Sequence, residues 1–141
     1  MKTAKILVQK SETGLSEDNK AKLKSLKIYK DKKHFKFSNG WVDLAYELGK
    51  NIEEVCKLAN CELPKIEAMY NKYNTLRVDY HFASPVPKIV ETLIDSLIYV
   101  TEDKSEMICE YCGKSCDIEI TEKNNNYINA CEKCFDIKNR D

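Results

Sequence analysis

Two Cys-x-x-Cys pairs near the end of the chain constrain its fold more than any other feature. The first pair is Cys109 and Cys112, the second is Cys131 and Cys134, and eighteen residues separate them. A Cys-x-x-Cys turn directs two sulfur atoms to one point, so two such turns supply four thiolates, which complete the tetrahedral shell of a zinc ion. We therefore predict a Zn²⁺ site formed by these four cysteines. Four thiolates leave no open position for water, which indicates a structural metal rather than a catalytic one.

The residues around these cysteines resemble a zinc ribbon or a treble-clef finger over residues 107–141. Gly113 follows the first pair, as in a zinc knuckle, where backbone amides turn toward sulfur. Residues 117–121 and 127–130 lie on either side of an Asn-rich turn and predict a hairpin between the pairs. A helix at residues 134–140 would make the unit a treble clef instead of a ribbon. Few apolar residues lie in this stretch, so we expect the metal to supply much of its folding free energy.

Three further cysteines lie outside this set of four. Cys116 is predicted to be a partly buried structural residue, and its alternative role is that of a spare metal ligand. Cys56 and Cys61 are predicted to be small core or boundary residues. The identity of the metal stays open between zinc and iron, since four thiolates suit both. Zinc is preferred because no Gly follows the second pair directly, in contrast to rubredoxin-like sites.

The cysteine frame also resembles the zinc frame of the His-Asn-His nucleases, on the pattern Cys109-x-Tyr111-Cys112-Gly113 followed by Cys131-x-x-Cys134. Those enzymes use a histidine between the two pairs as general base. The only histidines of this chain are His34 and His81, which both precede the frame. The sequence also contains no phosphate-binding glycine loop and no nucleophile elbow. We therefore expect no enzymatic activity and no small-molecule substrate.

Residues 1–100 are predicted to form a small mixed α+β domain with a helical block at 41–74. Apolar residues at helical spacing predict one helix that ends near Gly49 and a second that begins near Asn51. Leu63 and Pro64 are predicted to open a third helix, because proline is favoured in the first turn of a helix. The block is thus predicted to be tri-helical.

Residues 44–60 of this block resemble the helix-turn-helix segment of bacterial and phage repressors. The resemblance rests on Ala45, Gly49, Val55 and Leu58, which match the small, turn and apolar positions of that motif. It implies DNA binding through the second helix. Against this, that helix would begin with Ile-Glu-Glu, and residues 41–76 contain no arginine, so carboxylates would face the phosphates.

Other segments are predicted from their periodicity. Residues 5–9, 28–31, 34–38 and 76–82 are predicted to be strands, and Ser16 is predicted to cap a short helix that runs to about residue 26. An amphipathic helix is predicted over residues 85–100, followed by a polar linker at 101–106. The apolar face of the amphipathic helix is predicted to be core, with a partner or dimer surface as the alternative. The full set of that face is Val86, Ile89, Val90, Leu93, Ile94, Leu97 and Ile98.

Charge is distributed unevenly, although the net charge is zero. Residues 1–40 contain eleven Lys and four acidic residues, whereas residues 107–141 contain five basic and seven acidic residues. This distribution disfavours a protein that coats nucleic acid with its whole surface, and it leaves a local basic patch open. No signal peptide or membrane-spanning run is visible, so a cytoplasmic location with reduced thiols is expected.

Two functions follow as hypotheses. The first is a non-enzymatic zinc-binding interaction protein that docks on a protein or a protein–nucleic acid complex of a host. By size and composition the chain resembles small phage-encoded inhibitors such as anti-CRISPR proteins, which implies a CRISPR–Cas nuclease or RNA polymerase as the target. The alternative is a helix-turn-helix DNA-binding transcriptional regulator with a zinc-stabilised C-terminus.

Overall fold

A computed structural model describes residues 15–31, 35–113, 118–123 and 126–131, the last two ranges for the backbone only. Three α-helices and two antiparallel hairpins make up this part of the chain, which agrees with the predicted α+β class. The helices are α1 (Glu17–Lys24), α2 (Val42–Ala59) and α3 (Lys88–Ser105). The strands are β1 (Lys65–Lys72), β2 (Thr75–His81), β3 (Ile118–Lys123) and β4 (Asn126–Cys131). The strand predicted at residues 5–9 lies outside the described residues.

Helix α1 begins where its capping residue predicts. The hydroxyl of Ser16 accepts a hydrogen bond from the backbone N–H of Asn19 at 3.3 Å, and so satisfies one of the free donors of the first turn. Glu17 and Asp18 place negative charge at the positive end of the helix. Leu23 is fully buried and joins α1 to the core. The prediction of a short helix capped by Ser16 is confirmed.

Helix α2 is one continuous helix, so the prediction of two helices with a turn at Gly49 is wrong. Gly49 lies inside the helix, and a Cβ added there would come within 2.6 Å of the Tyr29 ring. The glycine therefore permits close packing of Tyr29 against the helix and does not form a turn. The buried residues of α2 keep one helical period through this point: Val42, Ala45, Leu48, Gly49, Ile52 and Cys56.

The third helix predicted at Leu63–Pro64 is also wrong, because residues 65–72 form strand β1. Strand β1 pairs with β2 through a two-residue turn at Tyr73 and Asn74, whose φ angles of 54° and 66° are left-handed. Consecutive left-handed residues match the twist of a hairpin. The side chain of Asn71 accepts the N–H of Asn74 at 3.1 Å and holds the turn. The strand predicted at 76–82 is confirmed as β2.

Segment 35–38 extends the main hairpin on its free side. Lys36 forms a parallel bridge with Tyr70, and its backbone exchanges hydrogen bonds with Met69 and Asn71. Phe35 and Phe37 flank it and are buried, as their alternation predicts. The strand predicted at 28–31 is instead a 3₁₀ turn at Lys27–Tyr29.

Helix α3 continues to Ser105, so the linker predicted at 101–106 is mostly helical. The polar residues of its last turns bond to strand β2. Ser105 Oγ accepts the N–H of Leu76 at 2.8 Å, and Glu102 Oε2 accepts the N–H of Val78 at 3.2 Å. These side chains accept hydrogen bonds from backbone N–H groups of β2. The last turns of α3 are therefore polar although they are helical, and this is why their composition resembles that of a linker. Residues 101–105 are therefore the last turns of α3.

The core lies between α2, α3 and the β1–β2 hairpin. Phe35 contacts Tyr29 and Phe37 edge to face, with centroid distances of 5.8 and 6.1 Å. The Tyr29 hydroxyl donates to the carbonyl oxygen of Ala45 at 2.7 Å. Burial raises the pKa of Tyr29, so the ring stays neutral as a hydrogen-bond donor. The largest fully buried side chains include Trp41, Leu48, Ile52, Met69, Leu76 and Ile94.

None of the helices that the structure describes has the length and apolar character needed to cross a membrane.

Candidate metal centre

The first Cys-x-x-Cys pair forms a tight turn at Cys109–Gly113. The N–H of Gly113 donates to the carbonyl oxygen of Cys109 at 2.9 Å, and the N–H of Cys112 points at Cys109 Sγ at 3.5 Å. Gly113 has a φ of 78°, a left-handed conformation that glycine adopts without a steric penalty. The turn therefore has the backbone features expected of a zinc knuckle, and Cys109 and Cys112 fit two of the four ligand positions.

The two cysteines of this turn differ in exposure. Cys109 is fully buried and Cys112 is exposed. Cys109 therefore belongs to the edge of the core, whereas Cys112 is accessible at the surface. The turn is a junction between the domain and the C-terminal segment.

Glu110, between the two cysteines, fastens the turn to the main domain. Its carboxylate accepts the backbone N–H of Ser38 at 3.1 Å and the side-chain amide of Asn71 at 2.6 Å. The residue is 7% exposed. Burial raises the pKa of Glu110, and the bonds from Asn71 and Ser38 act in the opposite direction. A buried carboxylate is tolerated here because both of its oxygens are hydrogen-bonded.

Gly40 and Trp41 make the other attachments of the turn. Gly40 N–H donates to the carbonyl oxygen of Glu110 at 2.7 Å, and Trp41 Nε1–H donates to the carbonyl oxygen of Ile108 at 2.9 Å. A Cβ on Gly40 would lie 2.2 Å from the carbonyl oxygen of Cys109. The two backbones therefore approach more closely than any residue other than glycine permits.

The second Cys-x-x-Cys pair is described only in part. Cys131 ends strand β4, and its backbone pairs with Ile118 at the start of β3. The β3–β4 hairpin agrees with the strands predicted between the two pairs. Cys134, Cys116 and the helix predicted at 134–140 lie outside the described residues. Among the side chains that the structure describes, no three His, Cys, Asp or Glu residues converge as a metal site, so Cys109 and Cys112 are the part of the predicted set that is brought together.

Sequence reasoning found the cysteines but missed the residues that hold the first pair in place. Glu110 occupies a variable position of the motif, and its spacing gives no sign that it is buried. Gly40 and Trp41 lie where the alternating strand pattern ends and a helix begins. Both residues are ordinary at such a position, so neither indicates a contact with the cysteine motif. Only the chain folding back on itself brings them to residues 108–110. No sequence signal would have identified this contact.

Cys56 and Cys61 lie at the C-terminal end of α2. They are away from the turn at Cys109–Gly113, which we call the metal turn. Asn60 is left-handed, and the N–H of Cys61 donates to the carbonyl oxygen of Cys56 at 2.9 Å, as in a Schellman cap. Cys56 is 2% exposed and Cys61 is half-buried. Burial, and then the neighbouring Cys61, raises the pKa of the Cys56 thiol. Both residues therefore occupy the core and boundary positions predicted for them.

Of the two histidines, only His81 is described. It is exposed at the end of β2 and contacts the carboxylate of Glu67 on β1. Such a cross-strand pair is an ordinary surface interaction in a hairpin. His34 lies outside the described residues.

Comparisons with protein-family models, with curated proteins and with solved structures found no match to this chain. The metal turn and its hydrogen bonds to the main domain are therefore the basis for inferring a function.

Proposed function

We propose that this protein is a non-enzymatic interaction protein, stabilised by one zinc ion that Cys109, Cys112, Cys131 and Cys134 hold. The observation that carries the proposal is the knuckle geometry of residues 109–113, with its amide-to-sulfur contact and left-handed Gly113. The chemistry of the remaining donors supports it, because two more thiolates in Cys-x-x-Cys spacing complete a tetrahedral shell.

A zinc ion bound in this way acts on folding rather than on a substrate. Residues 108–110 belong to the core of the main domain, through Trp41, Gly40 and Glu110. A metal that joins this turn to Cys131 and Cys134 fixes the C-terminal segment against the domain. The zinc then holds the main domain and the C-terminal segment together as one binding surface. Its binding free energy adds to the folding free energy.

The target we propose is a protein or protein–nucleic acid complex of a host, with a CRISPR–Cas nuclease or RNA polymerase as the first candidates. The composition supports this class, since the metal segment carries more acidic than basic residues and is poorly suited to binding bare nucleic acid. The alternative of a helix-turn-helix regulator loses its geometric support, because residues 42–59 form one helix without a turn.

The proposal is tested by titrating the purified, zinc-loaded protein into defined assays of RNA polymerase transcription and Cas nuclease cleavage. We expect stoichiometric inhibition or stable binding in one of them, lost when Cys112 and Cys134 are both replaced by Ser. A Cys61→Ser variant is the matched control, because it removes a thiol outside the metal set. Binding to duplex DNA alone, with no effect in either assay, would overturn the proposal.

A further inference from the structure

Two cysteines meet at the C-terminal end of helix α2, and neither is one of the four proposed to bind zinc. The helix ends in a Schellman cap, in which Asn60 is left-handed with a φ of 55°. The N–H of Cys61 donates to the carbonyl oxygen of Cys56 at 2.9 Å, and the N–H of Asn60 donates to that of Lys57 at 3.2 Å. Cys56 and Cys61 therefore occupy the two positions of this motif whose side chains commonly contact each other.

The backbone at this cap brings the two cysteines within disulfide range. With standard bond lengths and a trigonal carbonyl carbon, the 2.9 Å hydrogen bond limits the distance between the two Cα atoms to at most about 6.8 Å. Disulfide-bonded cysteines have Cα atoms about 4.4–6.8 Å apart. Both thiols are free. The Cys61 thiol donates only a weak hydrogen bond, to the carbonyl oxygen of Ala59 at 3.5 Å, so little holds it away from Cys56.

The two thiols differ in their access to solvent. Both line one surface cleft of about 680 Å³, a size that admits a small molecule. Cys61 is half-buried, whereas Cys56 is 2% exposed. Burial, and then the neighbouring Cys61, raises the pKa of the Cys56 thiol, which slows its direct reaction with an oxidant. A molecule that enters the cleft therefore reacts with Cys61 first, and Cys56 lies behind it as a second thiol.

The charges around the cleft suit an anionic oxidant. Three lysines and two glutamates are among the residues that line it: Lys27, Lys50, Lys57, Glu53 and Glu54. The carboxylate of Glu53 already accepts the backbone N–H of Ile28 at 3.0 Å. The balance of charge in the cleft is therefore positive, which favours a small anionic disulfide such as oxidised glutathione.

Two thiols without a further ligand indicate redox chemistry rather than metal binding. Among the side chains that the structure describes, no third His, Cys, Asp or Glu joins Cys56 and Cys61 as a metal site. Two thiolates alone leave the tetrahedral shell of zinc half empty. In a reducing compartment, a disulfide between two such thiols is typically transient and responds to the redox state.

We propose that Cys56 and Cys61 are a reversible redox pair, which a low-molecular-weight disulfide oxidises to a Cys56–Cys61 disulfide bond. The Cys61 thiolate attacks one sulfur of oxidised glutathione, forms a mixed disulfide and releases one glutathione thiolate. Cys56 then gives its proton to solvent and attacks the Cys61 sulfur, which forms the Cys56–Cys61 bond and releases the second glutathione thiolate. Two protein thiols are oxidised, and one glutathione disulfide is reduced to two thiols. The proposal is independent of the target and of the metal.

Glutathione redox buffers test the pair in the full-length, zinc-loaded protein. The buffers are restricted to those in which the zinc content stays constant, so that the metal-binding cysteines are not oxidised. After equilibration the free thiols are alkylated, and peptide mass spectrometry identifies each linkage. We expect the Cys56–Cys61 disulfide to exceed the Cys61–glutathione adduct by at least about tenfold, because the second thiol is held beside the first. Excess reduced glutathione should restore both thiols.

Two variants separate the roles of the two thiols. In Cys56→Ala the Cys61–glutathione adduct should become the main oxidised product, because no second thiol displaces glutathione. Cys61→Ser should leave Cys56 unmodified, because burial keeps the oxidant from it. Circular dichroism checks the fold of both variants, and the wild-type linkage map decides by itself if one fails to fold. The proposal would be overturned by a wild-type protein that accumulates the Cys61 adduct, by a Cys61 that pairs with another cysteine, or by a Cys61 that no buffer oxidises.

Discussion

Gly40 donates its backbone N–H to the carbonyl oxygen of Glu110 at 2.7 Å, and so joins the start of helix α2 to the turn that holds the first cysteine pair. The contact makes the metal turn a part of the main domain. A perturbation of Gly40 should therefore be felt both in the stability of the domain and in the affinity for zinc.

Gly40→Ala tests this coupling. A Cβ would lie 2.2 Å from the Cys109 carbonyl oxygen and 2.5 Å from that of Glu110, so one of the two backbones must move. We expect a loss of about 1–3 kcal/mol in the free energy of unfolding, as for other overpacked positions. Competition with a chelator should show weaker zinc binding as well. Unchanged zinc affinity in a destabilised variant would show that the domain and the metal turn are uncoupled.

Glu110→Ala removes the acceptor of the Ser38 N–H and of the Asn71 amide. Each buried donor that loses its acceptor costs about 1–3 kcal/mol, and we expect a loss in that range or above it in urea unfolding. Glu54→Ala is the control, because Glu54 is an exposed glutamate on α2. Equal losses in the two variants would mean that the two hydrogen bonds of Glu110 contribute nothing.

Glu102 should give the domain a pH dependence in the acid range. Burial raises its pKa above the ordinary value of 4.5, and it outweighs the opposing bond from the Val78 N–H and the charge of Arg77. The folded state then holds its proton to higher pH than the unfolded state. The stability contribution is full below about pH 4.5 and is lost as the pH rises through the raised pKa.

Glu102→Gln is the direct check of this direction. The amide keeps an oxygen for the Val78 N–H and carries no charge, so we expect a higher melting temperature than wild type at pH 7. The difference should vanish below about pH 4.5, where Glu102 is protonated in both states. Glu54→Gln serves as the exposed control. A variant that is less stable at neutral pH would reverse the sign we assign.

Several elements were predictable because their signal is local. The Ser16 cap and the alternation of β2 depend on residues close in the chain, and the structure confirms both. Strand β1 was missed because Ile66, Met69 and Tyr70 also fit a helical spacing, and Pro64 favours a helix start. The Tyr73–Asn74 turn pairs this segment with β2 as a strand. The two left-handed residues of the turn are Tyr and Asn, whereas the sequence that usually predicts such a turn is Asn-Gly.

The division of α2 at Gly49 was predicted from a residue that more often marks a helix end. Its actual role depends on Tyr29, which lies far away in sequence and fills the space that a side chain would take. The contacts that attach the metal turn to the main domain also join residues that are far apart in sequence. Gly40, Trp41 and Glu110 meet only in the folded chain, so spacing within the cysteine motif could not show that residues 108–110 belong to the core.

Removal of the metal should change thiol reactivity in a residue-specific way. Cys112 is exposed, so we expect zinc to protect it from iodoacetamide and a chelator to release it. Cys109 is fully buried and should react more slowly after chelation. Cys61 and Cys56 are internal controls whose rates should not change, with Cys61 the faster of the two. Peptide mass spectrometry gives all four rates, and a Cys112 that reacts equally fast with and without chelator would argue against a bound metal.

The zinc content of single cysteine variants tests the central claim most directly. The account predicts one zinc per chain in the wild-type protein. It predicts loss of that zinc in Cys109→Ser, Cys112→Ser, Cys131→Ser and Cys134→Ser, and retention in Cys116→Ser and Cys56→Ser. A wild-type protein that folds without metal, or a Cys116→Ser variant that loses zinc while a variant of the four keeps it, would contradict the account.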